Sequence, residues 1–244
     1  MQWFKFTIMK IIFILLFSLQ CFAQENIEVI YRYQSNFKKE IPGNLMGEIL
    51  SKSKRQLPKL DFILKATPNE SLYKLEEKVS NDGQSQRILI MMLSLANSKG
   101  VFFSDVKQNI FIEQTNAFGK LYKIISDFHQ LQWNISNEKK SISGYQCRKA
   151  TLEFNVGNEN NKAQNREIIA WFATDLNYPF GPLGYRGLPG LIIELNVNWD
   201  YGYILKAEKI KVLDNLLQIE EPQEGEIISE TNFKKLSRNS EFNN

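Results

Sequence analysis

Residues 181–190 hold four glycines and two prolines, and they run without a break into a stretch where apolar residues occupy every odd position: Leu191, Ile193, Leu195 and Val197. That alternation is a strand signature. Glycine opens backbone angles closed to other residues, and proline fixes φ and removes a donor. A loop so composed, feeding directly into a strand, is shaped rather than slack. The rest of the chain must supply a sheet for that strand to join.

The first residues read as an address. Lys5 and Lys10 flank the start of the apolar run 11–17, and Cys21-Phe22-Ala23 ends it, the order of a secretory signal peptide cleaved after Ala23. The run is short for a bilayer span and no second one follows, so no transmembrane segment is expected in the mature chain. Cys21 stands at lipobox depth. Leu19-Gln20 before it is unlike the small residues a lipobox requires, so the lipoprotein reading ranks second. The expected location is the periplasm or the exterior.

Cleavage leaves residues 24–244, a length for one buried core. It also removes two lysines from a formal net charge of +3, leaving a near-neutral chain. That balance argues against a dedicated partner of nucleic acid or of anionic membrane. The local cluster Lys52, Lys54, Arg55 and Lys59 sits between Glu48 and Asp61 and reads as a solvated face. Of the two cysteines only Cys147 survives cleavage, so no intrachain disulfide can form and the fold rests on its apolar core.

No internal repeat or low-complexity linker divides the chain, which is expected to be one domain, 24–244. Ile27, Val29, Tyr31 and Tyr33 share a face of a first strand. Residues 41–59 hold a short helix between Pro42-Gly43 and Pro58. Strands at 61–65 and 71–75 flank a turn at 67–70, and Asn81-Asp82-Gly83 is a further turn. The apolar run 88–96 is strand or helix. Strands are expected at 102–113 and 120–127, a polar turn at 136–140, and strands at 145–154, 167–173 and 201–212. Ser229, with Asn232, Phe233 and Leu236 after it, can cap and build a last helix. Evenly recurring strands with turn chemistry between them indicate a mainly β, β-rich α+β domain: a single curved antiparallel sheet with one or two short helices.

Three sequence blocks then recur in a known pattern. Gly144-Tyr145-Gln146-Cys147-Arg148-Lys149-Ala150, then Trp171-Phe172 followed by Gly181-Pro182, then Gly187-Leu188-Pro189-Gly190-Leu191-Ile192, resemble in order and spacing the GLPGLI family of exported bacterial proteins. The resemblance spans about residues 120–212. It implies an exported cell-envelope protein and, since the family has no assigned activity, no reaction. An open half-barrel like that of periplasmic lipoprotein carriers is the closest fold analogy, and it carries no function by itself. On this resemblance Gly144, Tyr145, Cys147, Lys149, Gly181, Pro182, Gly187, Pro189 and Gly190 are motif residues of structural weight.

Candidates for chemistry are few. Cys147 lies mid-strand and the sole histidine, His129, is distant in sequence, so a Cys–His dyad is only formally available; a buried structural thiol is the better reading. One histidine and one such cysteine do not make a zinc site, and no EF-hand spacing occurs, so no metal or cofactor is expected. The glycine loop lacks the Lys-Ser/Thr ending of a phosphate-binding loop. Two readings of it stand: a rigid crossover, which turn chemistry at a strand start favours, and a recognition loop presenting Tyr185, Arg186 and Leu188, with Arg186 exposed. Aromatics gather in this half: Trp133, Trp171, Trp199, Phe172, Tyr178, Phe180, Tyr185, Tyr201 and Tyr203. They furnish a core or, more sharply, a groove for an apolar ligand or an envelope protein partner, with Trp171, Phe172, Tyr185, Arg186 and Leu188 as binding residues. The leading expectation is a non-catalytic envelope binding protein. The alternative is a periplasmic hydrolase using paired carboxylates among Glu153, Glu167, Asp175 and Glu194.

Overall fold

The computed structural model describes residues 25–76, 90–94, 99–156, 164–214 and 217–241. The signal-peptide and lipobox readings, the turn at 81–83 and the ends of the run 88–96 lie outside them. The described part of that run, 90–94, is helical.

Twelve strands form one open, curved, mixed sheet in the order β12-β6-β5-β4-β3-β2-β1-β11-β10-β9-β8-β7. They are β1 (Asn26–Phe37), β2 (Phe62–Ala66), β3 (Glu70–Leu75), β4 (Val101–Asp105), β5 (Ile110–Ala117), β6 (Lys120–Asp127), β7 (Asn134–Ile142), β8 (Tyr145–Val156), β9 (Gln164–Ala173), β10 (Leu191–Asn198), β11 (Tyr201–Leu213) and β12 (Glu226–Ser229). Helix α1 (Leu45–Gln56) follows β1, and α2 (Glu230–Glu241) ends the described chain. The expected mainly β class with a single curved sheet holds. Ten of the eleven pairings are antiparallel, and β12 alone runs parallel to its neighbour β6.

Local chemistry explains the elements. Ile27, Val29, Tyr31 and Tyr33 are all buried along β1, as period two requires. The side chain of Asn44 accepts from the Gly47 N–H at 3.2 Å to cap α1, whose Glu48 lies in the first turn and Lys54 and Arg55 in the last, with Pro58 just beyond. Ser229 caps α2 by accepting from the Asn232 N–H at 3.3 Å.

Two expectations need correction. The single strand at 102–113 is two, because Asp105 accepts from the Gln108 N–H at 3.0 Å and Asn109 takes φ 55, turning the chain between β4 and β5. Residues 136–140 lie within strand β7, whose register slips between Ile135 and Lys139. The reversal comes later, at Ser143 and Gly144, both with positive φ. A bulge absorbs the polar residues that resembled a turn.

One face of the sheet carries the core. Tyr31, Tyr73, Tyr203, Phe62, Phe102 and Phe111 line it from β11 through β1 to β5, and the core continues into Ile168, Ala170 and Phe172 on β9. The crossover 174–190 between β9 and β10 packs upon it: a Cβ on Gly184 would fall 2.4 Å from the Phe111 ring and 3.1 Å from Phe102.

Candidate functional site

The crossover is a hydrogen-bonded body. The N–H groups of Gly187, Leu191 and Ile192 donate to the carbonyls of Pro179, Leu176 and Phe180 at 2.9, 2.9 and 3.0 Å. The Tyr31 hydroxyl donates to the Ile192 carbonyl at 2.6 Å, and the Trp133 indole to the Arg186 carbonyl at 2.8 Å. Gly190 has φ 151, and a Cβ there would stand 2.2 Å from the Ala173 carbonyl oxygen. This glycine admits no side chain, as a geometric crossover demands.

Arg186 is the centre of this body and is buried, 4% exposed, against the expectation of an exposed loop residue. Its Nε donates to Phe128 O at 3.0 Å, Nη1 to Gly184 O at 3.0 Å, and Nη2 to Asp127 O at 2.8 Å and Ser126 Oγ at 3.3 Å. Burial lowers its pKa to about 10, with the charges of Glu230 and Asp127 acting the other way. An arginine in a loop sequence gives no sign that three acceptors converge on it from elsewhere.

The five residues expected to bind are therefore not brought to one surface. Phe172, Arg186 and Leu188 are buried, and Tyr185 is partly buried with its ring 6.1 Å from Trp133. Trp171 is on the opposite face of the sheet, where Lys140 Nζ lies 4.2 Å from its ring centroid and 2.9 Å from Glu194 Oε1. Leu191 likewise leaves the core face. The register slip between Ile192 and Glu194 pairs Leu191 with Ala173, while Ile192 and Leu195 pair with Phe172 and Ala170. A bulge at Ile193 thus replaces the expected common face of residues 191, 193 and 195, though all three are buried.

The motif residues have structural places. Cys147 is buried, its thiol 3.6 Å from the Tyr145 carbonyl and pushed up to about 11 by burial, partly offset by Lys140. Lys149 pairs with Glu138 at 2.9 Å. Among the described residues no group of three His, Cys, Asp or Glu is placed to hold a metal, and no helix is long and apolar enough to cross a membrane.

The carboxylates divide. Glu153 and Glu167 are direct cross-strand partners on β8 and β9, but Glu153 is exposed and Glu167 accepts from Asn198 at 3.3 Å. Asp175 is exposed, and Glu194 is held by Lys140. A different coupled pair was not anticipated. Glu113 on β5 faces inward beside Glu230 of α2, and its pKa is raised to about 7 by burial and then by that neighbour. For Glu230, burial is outweighed by hydrogen bonds from Lys234 and Gln130 and by the charges of Lys234 and Arg186, so it lies below its ordinary value.

The aromatic groove lies at the Phe37–Tyr201 end of the β1–β11 pair. A cavity of about 270 Å³ is walled there by Tyr33, Phe37, Met46, Leu50, Leu57, Met92, Trp199 and Tyr201, with Ser53 and Asp200. The two polar members are already engaged: Ser53 Oγ donates to Ile49 O at 2.8 Å, and Asp200 pairs with Lys39 at 2.6 Å. The wall is thereby apolar. Trp199 and Tyr201 belong to the aromatic set read from sequence. Met46 and Leu50, one helical turn apart on α1, were the missed signal.

A family described as "Protein of unknown function (Porph_ging)" matches residues 153–194, which run from β8 through the glycine crossover into β10. No curated protein matches the chain. Two solved structures of PNGF-II, in the C2 and P21 space groups, are similar in fold, with TM-scores of 0.51 and 0.50 at 14% identity. Each likeness covers 87% of this chain but only 32% and 33% of the PNGF-II chain, so the protein spans about a third of that length.

Proposed function

We propose that this chain is an exported, non-catalytic cell-envelope protein of the GLPGLI type that holds a slender apolar group, such as one hydrocarbon chain, in the groove between α1 and the end of the β1–β11 pair. The carrying observation is that the groove walls are aromatic, methionine and leucine side chains whose two polar neighbours are satisfied internally. Its volume is near the lower bound of small-ligand cavities. Thioether side chains at Met46 and Met92 adapt to an occupant of variable shape.

Export by cleavage after Ala23 belongs to this reading and accords with a fold whose first strand starts at Asn26. Intact mass of the protein from its native envelope checks it: an acylated Cys21 or an uncleaved start would overturn that part. The groove is tested by quenching of Trp199 with a brominated fatty acid, using Trp199→Phe to isolate its signal. Quenching that saturates, and that Leu50→Trp abolishes by filling the groove, is expected. Equal quenching in Leu50→Trp would overturn the reading.

A second reading has one observation behind it. The coupled carboxyls Glu113 and Glu230, one raised and one lowered, have the divergent character of an acid and base pair. The groove, by contrast, is an open cavity whose wall is apolar, so the binding reading is preferred.

A further inference from the structure

Eight large apolar residues are exposed among the described residues, and four of them sit on two of the elements that wall the groove. Leu45 and Met46 on α1 are 68% and 45% exposed, and Ile90 and Met91 on the helical stretch 90–94 are 46% and 44% exposed. Met46 and Met92 line the same cavity, and Leu45, Ile90 and Met91 adjoin them in sequence. Apolar exposure concentrated at one opening marks an interaction surface.

Charge identifies the partner. Residues 38–59, which enclose α1, contain six basic residues and two acidic ones, Glu40 and Glu48, whereas the whole chain has a formal net charge of only +3. Lys39 is engaged by Asp200; Lys38 is exposed before α1, and Lys54, Arg55 and Lys59 are exposed in and beyond its last turn. A near-neutral chain thus carries a surplus of positive charge in the segment that also exposes Leu45 and Met46. That pairing suits a surface that is anionic outside and hydrocarbon beneath.

We propose that this end of the molecule docks onto an anionic lipid surface, with Leu45, Met46, Ile90 and Met91 entering the headgroup layer and the basic residues of 38–59 meeting the lipid phosphates. The inference rests on the groove reading only in supplying an apolar chain to its mouth. Docking itself can succeed or fail independently.

The test is co-sedimentation of the chain from Gln24, which contains every core residue among those described, with vesicles of phosphatidylcholine alone or mixed with phosphatidylglycerol. The wild type is expected to partition into the anionic vesicles and to be released by salt. Leu45→Glu/Met91→Glu should lose about tenfold or more in partitioning, since neither charged side chain enters the headgroup layer readily. Neither residue lines the groove, so quenching by the brominated fatty acid should be unchanged in this variant. Val212→Glu is the control: Val212 is 52% exposed but at the opposite end of the β1–β11 pair, and it should bind like the wild type. Failure of quenching with docking intact would overturn the groove reading alone. Binding to neither vesicle, or equal binding by the double variant, overturns docking. So does a wild-type dimer that the double variant dissociates without vesicle binding, which would assign the face to a second copy of the chain.

Discussion

The guanidinium carbon of Arg186 lies 3.6 Å from the ring centroid of Phe111, so a cation from the β9–β10 crossover stacks on an aromatic of β5. The contact joins segments 75 positions apart in sequence. With the carbonyls of Phe128, Asp127 and Gly184 around it, Arg186 works as a rivet between the crossover and the β6 region.

Removing the rivet should therefore be costly. Arg186→Ala leaves two buried carbonyls, Phe128 and Gly184, and the part-buried Asp127 carbonyl without that donor, and forfeits the stacking on Phe111. A loss of about 3 kcal/mol or more in urea unfolding is expected. Arg186→Lys keeps a charge but not the fork, and should recover only a minor part. A melt indistinguishable from wild type would mean that the crossover is not pinned at this point.

The glycines of the crossover should rank by what surrounds them. A Cβ on Gly190 or Gly184 meets Ala173 O at 2.2 Å or the Phe111 ring at 2.4 Å, while Gly187, with φ 85, has open space around it. Alanine at 190 or 184 should cost on the order of 3 kcal/mol, and at 187 about 1 kcal/mol from backbone angle alone. Thermal melts of the three variants give the order, and equal losses would refute it.

These glycines also show what a sequence can and cannot reveal. Their density before an alternating strand announced a shaped crossover, and the alternation of Ile27, Val29, Tyr31 and Tyr33 announced β1, because both signals are local. Arg186 was read as exposed because its acceptors, from Ser126 to Phe128, are distant in sequence. Odd-position alternation puts Leu191 on one face with Leu195, but a single inserted residue, Ile193, inverts the parity before it. The groove was half legible: Trp199 and Tyr201 stood in an aromatic-rich region, whereas Met46 and Met92 came from segments with no motif. The parallel strand β12 had no signal, since its four residues gain their pairing only from the β6 edge.

Cys147 should be inert in the folded protein. Its burial and its thiol pKa of about 11 leave little thiolate at neutral pH. A maleimide should label it only after denaturation, as mass spectrometry would record. Rapid labelling of the native protein would instead indicate an open path to the thiol. Cys147→Ser should lose about 1–3 kcal/mol, because a hydroxyl demands a stronger hydrogen bond than this site offers.

Glu113 should give the protein an unusual pH dependence. Its pKa is raised to about 7 by burial and then by Glu230 of α2, which is itself held by Lys234 and Gln130 and drawn on by the charge of Arg186. A carboxyl raised in the folded state holds a proton there that the unfolded chain has released. Between the ordinary glutamate range and pH 7 the folded state thus binds more protons, and stability from this group falls as pH rises through that window. The loss should reach on the order of 2–3 kcal/mol by pH 8, where the buried group is charged beside Glu230. Glu113→Gln removes the titration while keeping the shape. It should flatten this part of the stability profile and leave the variant more stable than wild type at pH 8. Urea melts of both proteins from pH 5 to pH 8 decide it: parallel profiles would show that Glu113 ionises without cost in the fold.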